Sequence, residues 1–183
     1  MQVTDLEIAG LKLMIPPRFE DERGFFSETY SEKALQEAGL PTTFVQDNFS
    51  LSTRKGTIRG LHFQRTPHAQ AKLVRVNRGR ILDIAVDLRR SSPTYGKHVA
   101  VELSRQNWAQ LYIPAGFAHG FCTLEPDTEV AYKTSSPYAP EYEAGILWSD
   151  PSLAIAWPVA AHDVTVSDKD ARLPSFANMA IAF

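Results

Sequence analysis

Two clusters along this chain combine residue types and spacings suited to moving protons and holding an anion. The first runs Thr57-Ile58-Arg59-Gly60-Leu61-His62-Phe63-Gln64, then Pro67-His68-Ala69-Gln70-Ala71-Lys72-Leu73, and brings two histidines, two arginines and a lysine within 14 residues. An ordinary apolar core strand would not tolerate that many polar groups unpaired. Arg59, His62 and Lys72 are the candidates. Extended backbone over 58–64 would send Gly60, His62 and Gln64 to one face and Leu61 and Phe63 to the other, so that His62 could line an interior. An imidazole titrates near neutral pH and can act as a general base. The second cluster, Ile113-Pro114-Ala115-Gly116-Phe117-Ala118-His119-Gly120-Phe121, follows some fifty residues later. It reads as a turn fixing the entry into a strand that begins near His119.

The elements that must position these groups are mostly strands. In Ile81 to Leu88, Leu82, Ile84, Val86 and Leu88 alternate with Asp83, Ala85 and Asp87, a period of two that predicts a half-buried strand. Val99, Val101 and Leu103 repeat the pattern, and shorter β-rich runs occur at Lys72–Val76, Leu111–Ile113, Phe121–Leu124 and Val130–Thr134. Turn signals at Asn77-Arg78-Gly79, Ser92-Pro93-Thr94, Pro114-Ala115-Gly116 and Pro126-Asp127 separate them. Such spacing predicts a mainly β fold, an antiparallel sandwich or barrel. One short peripheral helix is expected: Ser31 caps it, Glu32 suits its first turn, Ala34, Leu35 and Ala38 share a face, and Gly39 with Pro41 ends it.

At 183 residues and 44% hydrophobic, the chain predicts one domain over 1–183 with a sizeable core. Its net charge of −2 balances 19 Lys and Arg against 21 Asp and Glu, so no global field draws it to nucleic acid or acidic membrane. Any anion must be held by local Arg and Lys. There is no Gly-rich phosphate loop of the Walker or dinucleotide kind. The lone Cys122, inside an apolar run, reads as a small buried hydrophobe in a reducing compartment. No leader pattern or uncharged apolar run of about 20 residues occurs, and a soluble cytoplasmic protein is expected.

The two histidine clusters, in this order, resemble the two motifs of the cupin superfamily, which implies a jelly-roll β-barrel or sandwich. Cupins frequently bind a divalent metal through His-x-His and a following Glu in the first motif and a His in the second. Here His62 is followed by Phe63 and Gln64, and Lys72 lies about where the acidic ligand is expected. An ammonium would repel a metal, so metal-free chemistry without a cofactor is expected.

The rest of the chain narrows the resemblance. Arg23-Gly24-Phe25-Phe26-Ser27-Glu28, Gln46-Asp47-Asn48, the two histidine clusters, Lys72 to Val76, Tyr132-Lys133-Thr134, Gly145-Ile146-Leu147-Trp148 and Ser167-Asp168-Lys169-Asp170 occur in the order and approximate spacing of dTDP-4-dehydrorhamnose 3,5-epimerases. The similarity spans about residues 3 to 174. It implies epimerisation of a dTDP-4-keto-6-deoxy sugar at C3 and C5, with His62 as base, Asp170 orienting it (Asp168 being the other candidate), and Tyr132 as acid. Lys72, with Arg59 or His119, would stabilise the enolate. Arg23, Arg59 and Lys169 would meet the diphosphate, and Phe19 and Phe26 would pack on thymine. Glu28, Gln46, Asn48 and Glu143 would hydrogen-bond to the ligand, and Tyr138 would lie near the sugar. In this family Arg23 and its neighbours reach the other subunit's site, which implies a homodimer. The chain departs from the family at Ser136-Pro137 and Ala144, beside Tyr138, and this leaves open an epimerase acting at C3 or C5 alone. A metal-dependent cupin oxygenase is the reading from another class.

Overall fold

The computed structural model describes residues 1–40, 43–179 and 183. In chain order its elements are β1 (Gln2–Asp5), β2 (Lys12–Ile15), β3 (Phe19–Asp21), β4 (Gly24–Phe26), α1 (Glu32–Glu37), β5 (Gln46–Ser52), β6 (Ile58–Gln64), β7 (Lys72–Arg78) and β8 (Arg80–Asp87). There follow β9 (His98–Ser104), β10 (Gln110–Ile113), β11 (Phe117–Thr123), β12 (Thr128–Thr134) and β13 (Glu143–Gly145), with short 3-10 turns in the C-terminal segment. Six strands form one antiparallel sheet in the order β1-β2-β10-β7-β12-β5, and five form a second in the order β13-β6-β11-β8-β9. The pair β3-β4 is a separate hairpin.

The two sheets face each other as a jelly-roll sandwich rather than a closed barrel. Between them, Val74, Val76, Leu111 and Val130 of the larger sheet share one buried cluster with Ile81, Ala85, Phe117 and Phe121 of the smaller. This removes apolar surface from water on both inner faces, the main favourable contribution to folding. A second cluster, built on Leu61, Phe63, Ile84, Val86 and Ile146, lies on the outer face of the smaller sheet, where Trp157 and Phe176 of the C-terminal segment pack over it.

That cover corrects the expectation for β8. Its apolar positions Ile84 and Val86 and its polar positions Asp83 and Asp87 are all fully buried, so the strand is buried on both faces rather than one. The aspartates tolerate this because each is hydrogen-bonded. Asp83 meets His119, and Asp87 accepts from the Arg89 guanidinium, Ser92 and Thr94.

Helix α1 forms where expected, with Ser31 as its N-cap and Leu35 buried beneath it against Met14, Leu73 and Tyr112. Gly39 follows with a positive φ of 69°, and Pro41, the expected terminator, lies outside the described residues. The strand β5 was not foreseen from periodicity. Its apolar Phe49 and Leu51 are 61% and 49% exposed, whereas Ser52 is buried, and Asn48 and Ser50 line an inner cavity. The usual apolar-in pattern is reversed there.

Candidate active site

The polar inner faces converge at one end of the sandwich. His62 on β6 pairs directly with His119 on β11. On the opposite sheet Tyr132 of β12 stands between Val74 of β7 and Asn48 of β5. His62, Lys72, His119, Tyr132, Asp170, Arg59, Asn48 and Lys169 line a single cavity of about 600 Å³. A smaller adjoining cavity of about 210 Å³ shares His62, Lys72, Asn48 and Tyr132 and adds Gln46, Tyr138 and Glu143.

Close approach of β6 to β11 requires Gly60. Its φ is +117°, and a Cβ there would lie 2.7 Å from both the His119 carbonyl oxygen and the Gly120 Cα, a contact no side chain can make. The extra residue lies on β6, where the three steps from Arg59 to His62 face the two from Phe121 to His119, while β11 keeps unbroken register with β8.

The His62 ring is held by Asp170. Nε2 lies 2.8 Å from Asp170 Oδ1, while Asp170 Oδ2 accepts from the Gly60 backbone N–H at 3.1 Å. Burial alone would push the Asp170 carboxyl up. Bonds from His62, the Gly60 amide and Ser167 outweigh this and hold it below the usual carboxylate range. An ionised carboxylate only accepts, so Nε2 carries the hydrogen and Nδ1 is the unprotonated nitrogen of the neutral ring. Asp168, the other candidate, has a side chain 95% exposed and faces Arg172.

His119 has its own carboxylate, with Nε2 lying 2.7 Å from Asp83 Oδ1. Burial pushes His119 below its ordinary value, and the charge on Lys72 adds to this against the pull of Asp83. Lys72 is buried and its Nζ donates to the His62 carbonyl oxygen at 3.4 Å. Burial lowers its pKa to about 8, opposed by Asp83 and Glu143. Its ammonium sits 6.0 Å from the centroid of the Tyr132 ring. Burial raises the Tyr132 phenol and keeps it protonated.

At the mouth, Glu143 Oε2 accepts from the Tyr138 hydroxyl at 2.7 Å and from Lys169 Nζ at 2.6 Å. The Arg59 guanidinium is anchored to Ser52 Oγ and to the Leu51 carbonyl oxygen, both at 3.1 Å. Gln46 donates to Asn48 at 2.8 Å.

Four expected ligand contacts lie apart from this cavity. Phe19 and Phe26 face each other across the β3-β4 hairpin, 62% and 71% exposed. Arg23, at the hairpin turn, is paired with Asp21. Glu28 lines a separate cavity of about 400 Å³ on the outer face of the larger sheet. Asp83, in contrast, was absent from the sequence expectations. The alternation put Asp83 on the polar phase of a half-buried strand, and only the larger sheet packed on Ile81 and Ala85 makes that phase interior and its partner necessary.

The donor set does not suit a metal. Among the described residues no group of three or more His, Cys, Asp or Glu side chains converges as ligands. Both inward histidines already hold carboxylates, and the buried Lys72 ammonium, which would repel a cation, lines the same cavity.

Fold and site together define a class: a cupin-like jelly-roll enzyme whose cavity gathers two imidazoles, a carboxylate, an ammonium and a phenol. Within that class, the family model for dTDP-4-dehydrorhamnose 3,5-epimerase matches residues 5–178, and the chain belongs to this family. It is 49% identical to the dTDP-4-dehydrorhamnose 3,5-epimerase of Sinorhizobium fredii over 183 residues, 100% of this chain and 93% of that protein. The crystal structure of the Bacillus anthracis enzyme with TDP and PPi bound matches with a TM-score of 0.92 and 48% identity, covering 95% of this chain and 98% of the other. The Legionella pneumophila enzyme in complex with dTDP-4-keto-L-rhamnose matches with a TM-score of 0.90 and 45% identity, covering 95% and 92%. No described helix is long and apolar enough to cross a membrane.

Proposed function

We propose that the chain converts dTDP-4-dehydro-6-deoxy-D-glucose to dTDP-4-dehydro-L-rhamnose, inverting C3 and C5 in one domain spanning 1–183. The observation that carries the residue roles is the His62–Asp170 pair, 2.8 Å apart, opening on the same cavity as Lys72 and Tyr132.

In a 4-keto sugar the hydrogens on C3 and C5 flank the carbonyl. Removing either leaves an enolate whose charge rests largely on O4. His62 Nδ1 takes the proton, and Asp170 compensates the imidazolium, a role that supplies roughly 10²- to 10⁴-fold. Lys72 donates to O4, where a fixed ammonium away from water is most effective. A neutral His119 with its Nε2 hydrogen on Asp83 has no second hydrogen to give, which favours Lys72 for that contact. Tyr132 then delivers its hydroxyl proton to the opposite face of the carbon, and the phenolate and imidazolium return to their resting states by exchange with solvent. Repeating the cycle at the second carbon completes the reaction.

Arg59 and Lys169 are suited to the diphosphate, with Gln46, Asn48, Glu143 and Tyr138 around the sugar end. Arg23, Phe19, Phe26 and Glu28 stand away from their own cavity, which fits a homodimer in which they serve the partner's site. The lone buried Cys122 suits the reducing cytoplasm.

Incubation with dTDP-4-keto-6-deoxyglucose in heavy water, followed by NMR, tests the reading. Deuterium at both C3 and C5, with inversion at both, is expected. Label at one carbon alone would mean a mono-epimerase, and no label at either would end the proposal.

A further inference from the structure

Tyr138 stands at the rim, 55% exposed as a residue, so packing does little to hold it. Its backbone, however, is gripped by three glutamine amides from three different segments. Gln64 Nε2 donates to the Pro137 carbonyl oxygen at 3.1 Å, and its Oε1 accepts from the Ala139 N–H at 2.8 Å. Gln46 Oε1 accepts from the Tyr138 N–H at 2.8 Å. Gln70 Nε2 donates to the Ser136 carbonyl oxygen at 2.8 Å and, at 3.4 Å, to that of Pro137.

Gln64 is the centre of this arrangement. It is 3% exposed, and its second amide hydrogen is spent on the His68 carbonyl oxygen at 2.8 Å. Both donors and the acceptor are therefore used, which makes its orientation unique among the rotations an amide can adopt. It also lies two positions from His62 on β6 and shares its face. One rigid strand thus carries the base and the grip on the loop bearing Tyr138.

Resting on the epimerase reading above, we propose that Gln64, seconded by Gln46 and Gln70, is a positioning residue that fixes Tyr138 against His62 and so sets the width of the sugar end of the cavity. The Ser136-Pro137 sequence gives this grip its purpose. Pro137 has no N–H to anchor the loop from within, so its carbonyl and the two amides that follow are tied from outside.

The test is a double-mutant cycle on kcat/KM with Gln64→Leu and Tyr138→Ala, together with melting temperatures of every variant. Gln64→Leu should lower kcat/KM on the order of ten- to a hundredfold, the scale of a misplacement of about 1 Å. In the Tyr138→Ala background the same change should cost less than about threefold, because the side chain being positioned is gone. Equal penalties in the two backgrounds, or none in either, would overturn the proposal. If Gln64→Leu loses the fold, Gln70→Ala, on a half-buried side chain, runs the same cycle with the same criterion. Deuterium incorporation by the unaltered protein is read in parallel. Its absence sinks the epimerase reading itself, whereas additivity with incorporation intact sinks the positioning role alone.

Discussion

His62 and His119 face one another across neighbouring strands, and each is bound through Nε2 to its own aspartate, Asp170 at 2.8 Å and Asp83 at 2.7 Å. The two pairs differ in access. The His62 side chain is 32% exposed to the cavity and that of His119 only 6%. The accessible imidazole is the one that can meet a substrate hydrogen, and the buried one sits in the wall beside Lys72.

Asp170→Asn keeps the shape of the first pair and removes its charge. The amide must turn either its NH2 toward His62, reversing the tautomer, or its NH2 toward the Gly60 N–H, leaving two donors opposed. A loss of roughly 10²- to 10⁴-fold in kcat is expected, with dTDP affinity by calorimetry nearly unchanged. Wild-type turnover by Asp170→Asn would show that the base does not depend on this partner.

Lys72→Met should separate activity from stability. The folded pKa of about 8 lies below the ordinary 10.5, so burying the charged form opposes folding at neutral pH, by up to about 3 kcal/mol for a shift of this size. Between these two values the unfolded chain holds the proton and the folded chain does not, so wild-type stability rises with pH across that window. The variant should be flat there, more stable at pH 7 in urea unfolding, and slower by roughly 10²- to 10³-fold in kcat. A destabilised Lys72→Met would mean that Asp83 and Glu143 need the ammonium more than burial opposes it.

Tyr132→Phe should leave removal of the hydrogen by His62 more intact than its redelivery. NMR in heavy water should find exchange outlasting inversion, with epimer formation down on the order of 10²-fold. Epimerisation at the normal rate would remove Tyr132 as the acid.

Asp87 contributes to stability far from this chemistry. Burial pushes its carboxyl up, but Arg89, Ser92 and Thr94 together bring it down to about 2 from 3.8. A depressed carboxyl stabilises above its unfolded value and loses that contribution as pH falls through the folded one. Asp87→Asn should therefore cost about 2 kcal/mol at pH 7. Its deficit against wild type should shrink between about pH 4 and pH 2, as followed by urea unfolding at each pH. A deficit constant across that range would contradict the assignment.

Much was legible in the chain alone. Period-two runs in 81–88 and 99–103 announced antiparallel strands, because alternate side chains of a strand face opposite ways whatever the tertiary setting. The phase of His62 against Leu61 and Phe63 placed the imidazole inside for the same reason. The lysine at position 72, where a carboxylate would serve a metal, argued for proton transfer from charge alone. Those are properties of local geometry and of side-chain chemistry, which need no partner to be read.

Partnership itself needed three dimensions. Asp170 is 108 residues from His62, and only the packing of the C-terminal segment under β6 selects it over Asp168, two residues away and turned to solvent. Asp83 looked like the wet side of a half-buried strand until the larger sheet and the C-terminal cover buried both faces of β8. In β5 the polar side chains point inward and the aromatic outward, because that end of the sandwich encloses a polar cavity. Hydrophobic pattern predicts burial where an interior is apolar. Where the interior is a reaction chamber, which face is inside depends on what lies across from it.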